Sequence, residues 1–290
     1  MNYMLLGVIA LFVTVQNIFK QKYNDRVKGV VLFFSGLCSF FAMLFFIVIN
    51  RDWSYRAELL LPSFGFGLSY AAASVCTVMA IRYGSLAKTS LIISCSLLIP
   101  SFYGIIFLRE PIGWSLVVGT VLLVVALVLT NYQKASAEDE KQGYCLWKWI
   151  IFVFFAFVGN GMCSTVQKME GLKYGDEGKN MFMIVALAMA TVMLFGVALL
   201  MREERAIMQV SLRRGWWLGA SSGIINGLTN ALVMLLNARN MPASVMFPVI
   251  SGGGIVLIFL YATLVRKEKF NPRQVVGFAL GVISIVLLNL

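Results

Sequence analysis

Ten apolar runs, each about 20 residues long, occupy most of this 290-residue chain. They fall at roughly 2–21, 29–49, 59–81, 87–108, 112–131, 146–167, 180–200, 215–237, 243–265 and 272–290. A helix needs about 20 residues to cross the hydrocarbon core of a bilayer. Charges, prolines and glycines separate the runs, as they separate spans. A single soluble core cannot absorb so many long apolar segments. Hydrophobic residues make up 60% of the chain and charged residues 13%, against about 45–50% and about 25% in soluble domains. The chain therefore reads as an all-α integral membrane protein with about ten transmembrane helices. Residues 1–19 lack a basic leading segment and a small-residue cleavage site, so they read as the first span and not as a signal peptide.

The formal net charge is +11. In a soluble protein that excess would raise nucleic acid as a partner. Here the basic residues sit in short segments between spans, which membrane topology accounts for, and no basic soluble module interleaved with aromatics is present. Cys38, Cys76, Cys95, Cys145 and Cys163 form no CxxC pair and read as small packing residues. The chain has no histidine, which removes the commonest metal ligand and proton shuttle. No metal or cofactor is expected. The P-loop pattern GxxxxGK[ST] does not occur, so ATP is not an evident energy source.

The chain repeats itself. Glu110 to Asn131 and Glu268 to Asn289 are equal intervals, with Gly119 and Gly277 at matched positions. Gln21-Lys22 and Gln167-Lys168 close the first and sixth apolar runs, and Arg82 and Arg239 follow the third and eighth. The most polar stretch lies mid-chain. The predicted organisation is a five-helix repeat over 1–131, a linker at 132–145 and a second five-helix repeat over 146–290. Two halves with an odd number of spans sit in opposite orientations, an architecture recurrent in secondary transporters. The substrate site is then expected between the halves, near the midplane.

The pattern resembles the drug/metabolite transporter superfamily, of the ten-helix EamA type. The resemblance rests on Ala80-Ile81-Arg82-Tyr83-Gly84-Ser85, then Leu108-Arg109-Glu110-Pro111 and Gly119. In the second half it rests on Ala238-Arg239-Asn240-Met241-Pro242-Ala243, Arg266-Lys267-Glu268 and Gly277. Gly252-Gly253-Gly254 departs from the family pattern and reads as close packing or a hinge. The resemblance implies a carrier of small metabolites that works by alternating access.

All the Asp and Glu residues fall in predicted loops or at span ends. Small multidrug-resistance pumps of this superfamily use a glutamate in the first helix, where this chain offers Gln16 and Asn17. Proton-driven export of cationic drugs in that manner is therefore disfavoured. Amides are costly in lipid and should face the protein interior. Gln16, Asn17, Asn160, Asn226 and Asn230 are the predicted lining of a substrate site, with Lys20 placed to meet an anionic group. Helix-to-helix hydrogen bonding is the alternative use of the same amides. Spans two, five and seven carry few polar groups and read as lipid-facing or scaffold helices. An inverted repeat would put Lys22 and Arg82 at one mouth with Glu268, and Lys168 and Arg239 at the other with Glu110. Such pairs could gate access.

Lys and Arg number 17 around odd-numbered loops and 7 around even-numbered ones. The positive-inside rule then puts odd loops in the cytoplasm and both termini outside. The family resemblance implies cytoplasmic termini. The leading function is secondary transport of a small polar metabolite, such as an amino acid, sugar or nucleotide derivative, across the cell membrane. A flippase for lipid-linked substrates and a cationic drug exporter are the alternatives. An enzyme would need a converging acid, base or metal set, which the sequence does not offer.

Overall fold

The computed structural model describes residues 2–27, 32–54, 56–84, 86–130, 145–175, 178–265 and 271–288. Among these residues lie twelve α-helices and no strands. They are α1 Asn2–Val27, α2 Leu32–Ile49, α3 Leu60–Tyr83, α4 Leu86–Ser94, α5 Leu98–Ile106, α6 Trp114–Thr130, α7 Leu146–Tyr174, α8 Lys179–Leu200, α9 Arg202–Arg214, α10 Trp216–Ala238, α11 Ala243–Leu264 and α12 Pro272–Leu288. Eight helical segments are long and apolar enough to cross a membrane, with α4 to α5 counted as one. The apolar helices α6 and α12 are shorter. Together they account for the ten predicted runs. Both ends of α12 fall 158 residues after the matching ends of α6.

Three local expectations change. First, α1 and α7 outrun their apolar runs, so neither Gln21-Lys22 nor Gln167-Lys168 ends a helix. Beyond residue 167 the helix runs on through Gly171 to Gly175, which takes φ 61° and stops α7 as left-handed glycines do. Second, the fourth span is broken by a 3-10 turn at Cys95–Leu97 between α4 and α5. Third, 202–214, predicted as a loop, forms α9. The buried carboxylate of Glu204 on α9 accepts a bond from the Phe33 N–H at 3.3 Å, satisfying an amide at the start of α2 that has no partner within the helix. The linker at 132–144 lies outside the described residues.

The described chain forms two compact units. One comprises Met1–Thr14, Met79–Gly161 and Met241–Leu290, and the other Val15–Val78 and Met162–Asn240. Each draws on both halves of the sequence. In lipid, apolar side chains gain little by leaving solvent, so helices hold together through close contact and hydrogen bonds. In the first unit α6 lies along α12. The Ser284 hydroxyl donates to the Gly119 carbonyl at 2.8 Å, and a β-carbon on Gly119 would stand 2.9 Å from Leu288. Gly252 meets Ile285 and Leu123 in the same manner, which is the close-packing use of the glycine run. In the second unit α2 packs against both α8 and α10. Gly219, Gly223 and Gly227, one turn apart on α10, receive Leu37, Phe41 and Phe45 of α2. Ser39 of α2 donates to the Leu187 carbonyl of α8 at 3.0 Å. Thus α2 and α8 serve as scaffold, with Ala42, Phe46, Phe182 and Leu187 nearly sealed.

Candidate functional site

The second unit carries a chain of amides. Gln16 comes from α1, Gln167 from α7, and Asn226 and Asn230 from α10. The two asparagines are four residues apart and therefore neighbours on one helix face. Gln167 donates through Nε2 to Asn230 Oδ1 at 2.7 Å. Asn230 donates through Nδ2 to Asn226 Oδ1 at 2.8 Å. Asn226 donates through Nδ2 to Gln16 Oε1 at 3.3 Å. Gln16 donates through Nε2 to Thr229 Oγ1 at 2.9 Å, and the Thr229 hydroxyl closes the series on the Ile225 carbonyl at 2.8 Å. Every link runs in one direction. The series joins a residue from the first half of the sequence to residues from the second.

An apolar bed lies beside it. Gln167 Nε2 also reaches Met183 Sδ at 3.8 Å. Met183 belongs to a buried cluster with Phe66, Cys163 and Met234, against which Tyr70, Val166 and Ala231 pack. Tyr70 stacks on Phe66 with ring centroids 6.1 Å apart. Half-buried amides beside aromatic and sulfur surface can hold a solute that offers both hydrogen-bonding groups and a carbon skeleton.

Of the predicted lining residues, Gln16, Asn226 and Asn230 come together. Asn17 and Lys20 share α1 with Gln16, but their side chains are exposed. Asn160 lies in the other unit. There it donates to Ser96 Oγ at 2.6 Å, holding the 3-10 turn that breaks the fourth span. Gln167 and Thr229 also belong to the series, although neither is among the predicted lining residues. The signal for Gln167 was the same as for Asn226, an amide in an apolar stretch, but its place at the end of the run hid it.

The predicted gating charges have diverse settings. Lys22 is exposed on α1, Arg82 is half-buried near the end of α3, and Arg239 is exposed just after α10. Lys168 lies within α7 at 1% exposure, so it is not a loop charge. Glu268 lies outside the described residues. Glu110 accepts the backbone N–H groups of Ala243 and Ser244, each at 2.8 Å, and so caps α11. Gly104 makes room for this, since a β-carbon there would stand 2.6 Å from a Glu110 carboxylate oxygen.

The carboxylates are not confined to edges, as the sequence suggested. Glu170 lies inside α7 at 2% exposure and Glu204 inside α9 at 1%. Glu170 follows the end of an apolar run where α7 continues, and Glu204 lies on the separate polar helix α9, which hydropathy reads as a loop. Among the described residues, no group of three or more His, Cys, Asp or Glu is placed to hold a metal ion.

No curated protein matches the chain at significant similarity. The crystal structure of another protein superposes with a TM-score of 0.70 over 98% of this chain and 94% of its own, at 12% identity. That likeness speaks to the fold alone. The EamA-like transporter family matches residues 2–132, the segment that holds Gln16 and the Arg109-Glu110-Pro111 turn. With helices suited to cross a bilayer and a match to the EamA-like transporter family over residues 2–132, the chain is a multi-pass membrane protein whose N-terminal part is similar to the EamA-like transporters.

Proposed function

We propose that this protein is a secondary transporter that moves a small polar metabolite across the cell membrane by alternating access, and that it is not an enzyme. The observation that carries this reading is the one-directional series from Gln167 through Asn230, Asn226 and Gln16 to Thr229. Amides in an apolar setting are costly unless they are paired, and a solute with hydroxyl, amide or carboxylate groups can take over their bonds. Amino acids, sugars and nucleotide derivatives have such groups. The 158-residue offset between α6 and α12 supports a duplicated architecture of the transporter kind. Lys20 and Asn17 are assigned to the solute's approach, and Asn160, predicted as lining, to holding the break in the fourth span. Lys22, Arg82, Glu110, Lys168, Arg239 and Glu268 are assigned to gating.

The test is a thermal-shift screen of the detergent-purified protein against metabolites sorted by charge. A ligand of the native state raises apparent stability. Stabilisation by one chemical class, lost in Asn226→Leu and Gln16→Leu, supports the assignment. If lipid-linked sugars stabilise the protein and soluble metabolites do not, the flippase reading replaces it.

A further inference from the structure

Among the described residues three carboxylates are half-buried or buried, and two have evident structural uses. Glu110 accepts two amides at the start of α11. Glu204 accepts the Phe33 amide at the start of α2. Glu170 does neither. Its side chain is 2% exposed, and among the described residues neither Oε1 nor Oε2 has a hydrogen-bond partner. The next residue, Gly171, packs against Asn237 of α10, whose buried Oδ1 and Nδ2 are also without partners. Unsatisfied buried polar atoms of this kind call for an explanation by function or by a species that comes and goes.

Glu170 lies three residues after Gln167, on the same face of α7 and one turn away. Gln167 is the first donor of the amide series. A change of charge at Glu170 therefore occurs one turn from the place where a solute would break that series. We infer that Glu170 is the proton-binding site of this transporter, taking a proton from water on one side of the membrane and returning it to water on the other as the amide series exchanges its solute. This rests on the transport reading above. The charged form of a buried carboxylate without donors is expensive, and the neutral acid far less so. A single carboxylate suits a proton better than a metal cation, which needs several oxygens.

The charged surroundings fit a group that cycles between two states. Lys179, at the start of α8, favours the charged form of Glu170. On α7 itself, Lys168 is buried. Lys173 and Tyr174 lie toward Glu58, with Lys173 Nζ at 4.0 Å and the Tyr174 hydroxyl at 3.2 Å from its carboxylate. From α10 the neighbouring side chain is the uncharged Asn237, and Arg239 beyond it is exposed. Lys179 can thus balance the deprotonated state.

The first measurement needs no solute. Infrared difference spectra of the purified full-length protein between neutral and alkaline pH should contain a carboxylic-acid C=O band that Glu170→Gln removes. Glu170→Asp keeps a titrating acid and should move the band without abolishing it, which separates chemistry from misfolding. A band that survives in Glu170→Gln, or its absence from the wild type, overturns the assignment whatever the protein transports. The second measurement uses proteoliposomes and a mixture of radiolabelled amino acids, sugars and nucleosides. An imposed pH gradient should raise wild-type accumulation at least about tenfold. Glu170→Gln should lose that gain and keep gradient-free exchange. Wild-type accumulation indifferent to pH would overturn the coupling and leave transport standing. No wild-type uptake of any kind would strike down the transport reading, and the coupling with it.

Discussion

Glu110 closes the start of α11 by accepting the Ala243 amide at 2.8 Å, and its second oxygen takes the Ser244 amide at the same distance. The turn that delivers it has Arg109 in the left-handed region at φ 53°, while Asn240, shortly before α11, takes φ 56°. Negative charge at a helix start meets unpaired N–H groups and the positive end of the helix dipole. Glu110→Ala should therefore cost about 0.5–2 kcal/mol and lower the midpoint of thermal unfolding in detergent. Glu110→Gln keeps an acceptor and should lose less. Equal midpoints for Glu110→Ala and the wild type would refute the capping role.

The contact of α2 with α10 predicts a contrast between glycines. A β-carbon on Gly223 would stand 2.6 Å from Phe41 Cβ and 2.7 Å from the Cys38 carbonyl oxygen, whereas one on Gly196 of α8 meets nothing within 4 Å. Gly223→Ala should cost about 1–3 kcal/mol by overpacking. Gly196→Ala should be neutral or stabilise by up to about 1 kcal/mol through helix propensity. Unfolding midpoints of the two variants decide the matter, and similar losses in both would count against the packing described.

The first donor of the amide series gives a third prediction. Gln167→Leu leaves Asn230 Oδ1 without its donor. Hydrogen bonds between helices in lipid are worth about 0.6–2 kcal/mol, so a modest loss of stability is expected alongside a larger loss of ligand-induced thermal shift. A ligand shift unchanged from wild type would remove Gln167 from the binding site while leaving its packing role.

Outside the spans, Asp52 offers a pH test. Ser54 donates to its carboxylate from both backbone N–H and hydroxyl, each at 2.9 Å, and these bonds, backbone first, hold its pKa below the ordinary aspartate range. The charged form is the bonded one. The turn therefore gains its support above the usual aspartate pKa of about 3.9 and loses it as pH falls through the lowered value. Ser54→Ala should raise the Asp52 pKa part of the way back. Carboxyl-carbon NMR titration would show this, and an unmoved pKa would contradict it.

Much of this fold is legible in the sequence because a bilayer imposes a length and a polarity on every span. The ten runs, the 158-residue offset and the helical pairing of Asn226 with Asn230 all follow from those constraints. What escaped has a common physical cause. Hydropathy reports where lipid ends, whereas α7 runs on to the left-handed Gly175. Lys168 and Glu170 lie in the two-turn difference on α7, just past Gln167, while α9, which carries Glu204, is a separate polar helix that hydropathy does not report. The break at Cys95–Leu97 was equally hidden, since its residues are as apolar as their neighbours. Asn160 was legible as an interior amide but not as a partner of Ser96, because pairing across 64 residues depends on which helices meet.

Because all the links from Gln167 to the Ile225 carbonyl donate in the same sense, the side chains do not hold independent bonds. Each amide polarises the next, and an amide turned end for end would face donor with donor unless its neighbours turned as well. Losses should then fail to add. A double variant of Gln16 and Gln167, at the two ends of the amide run, should cost less than its single variants together. Energetically, four amides from three helices act as one unit, and the Asn226 carbonyl, which also accepts from Asn230 Nδ2 at 2.9 Å, fixes the sense in which they point.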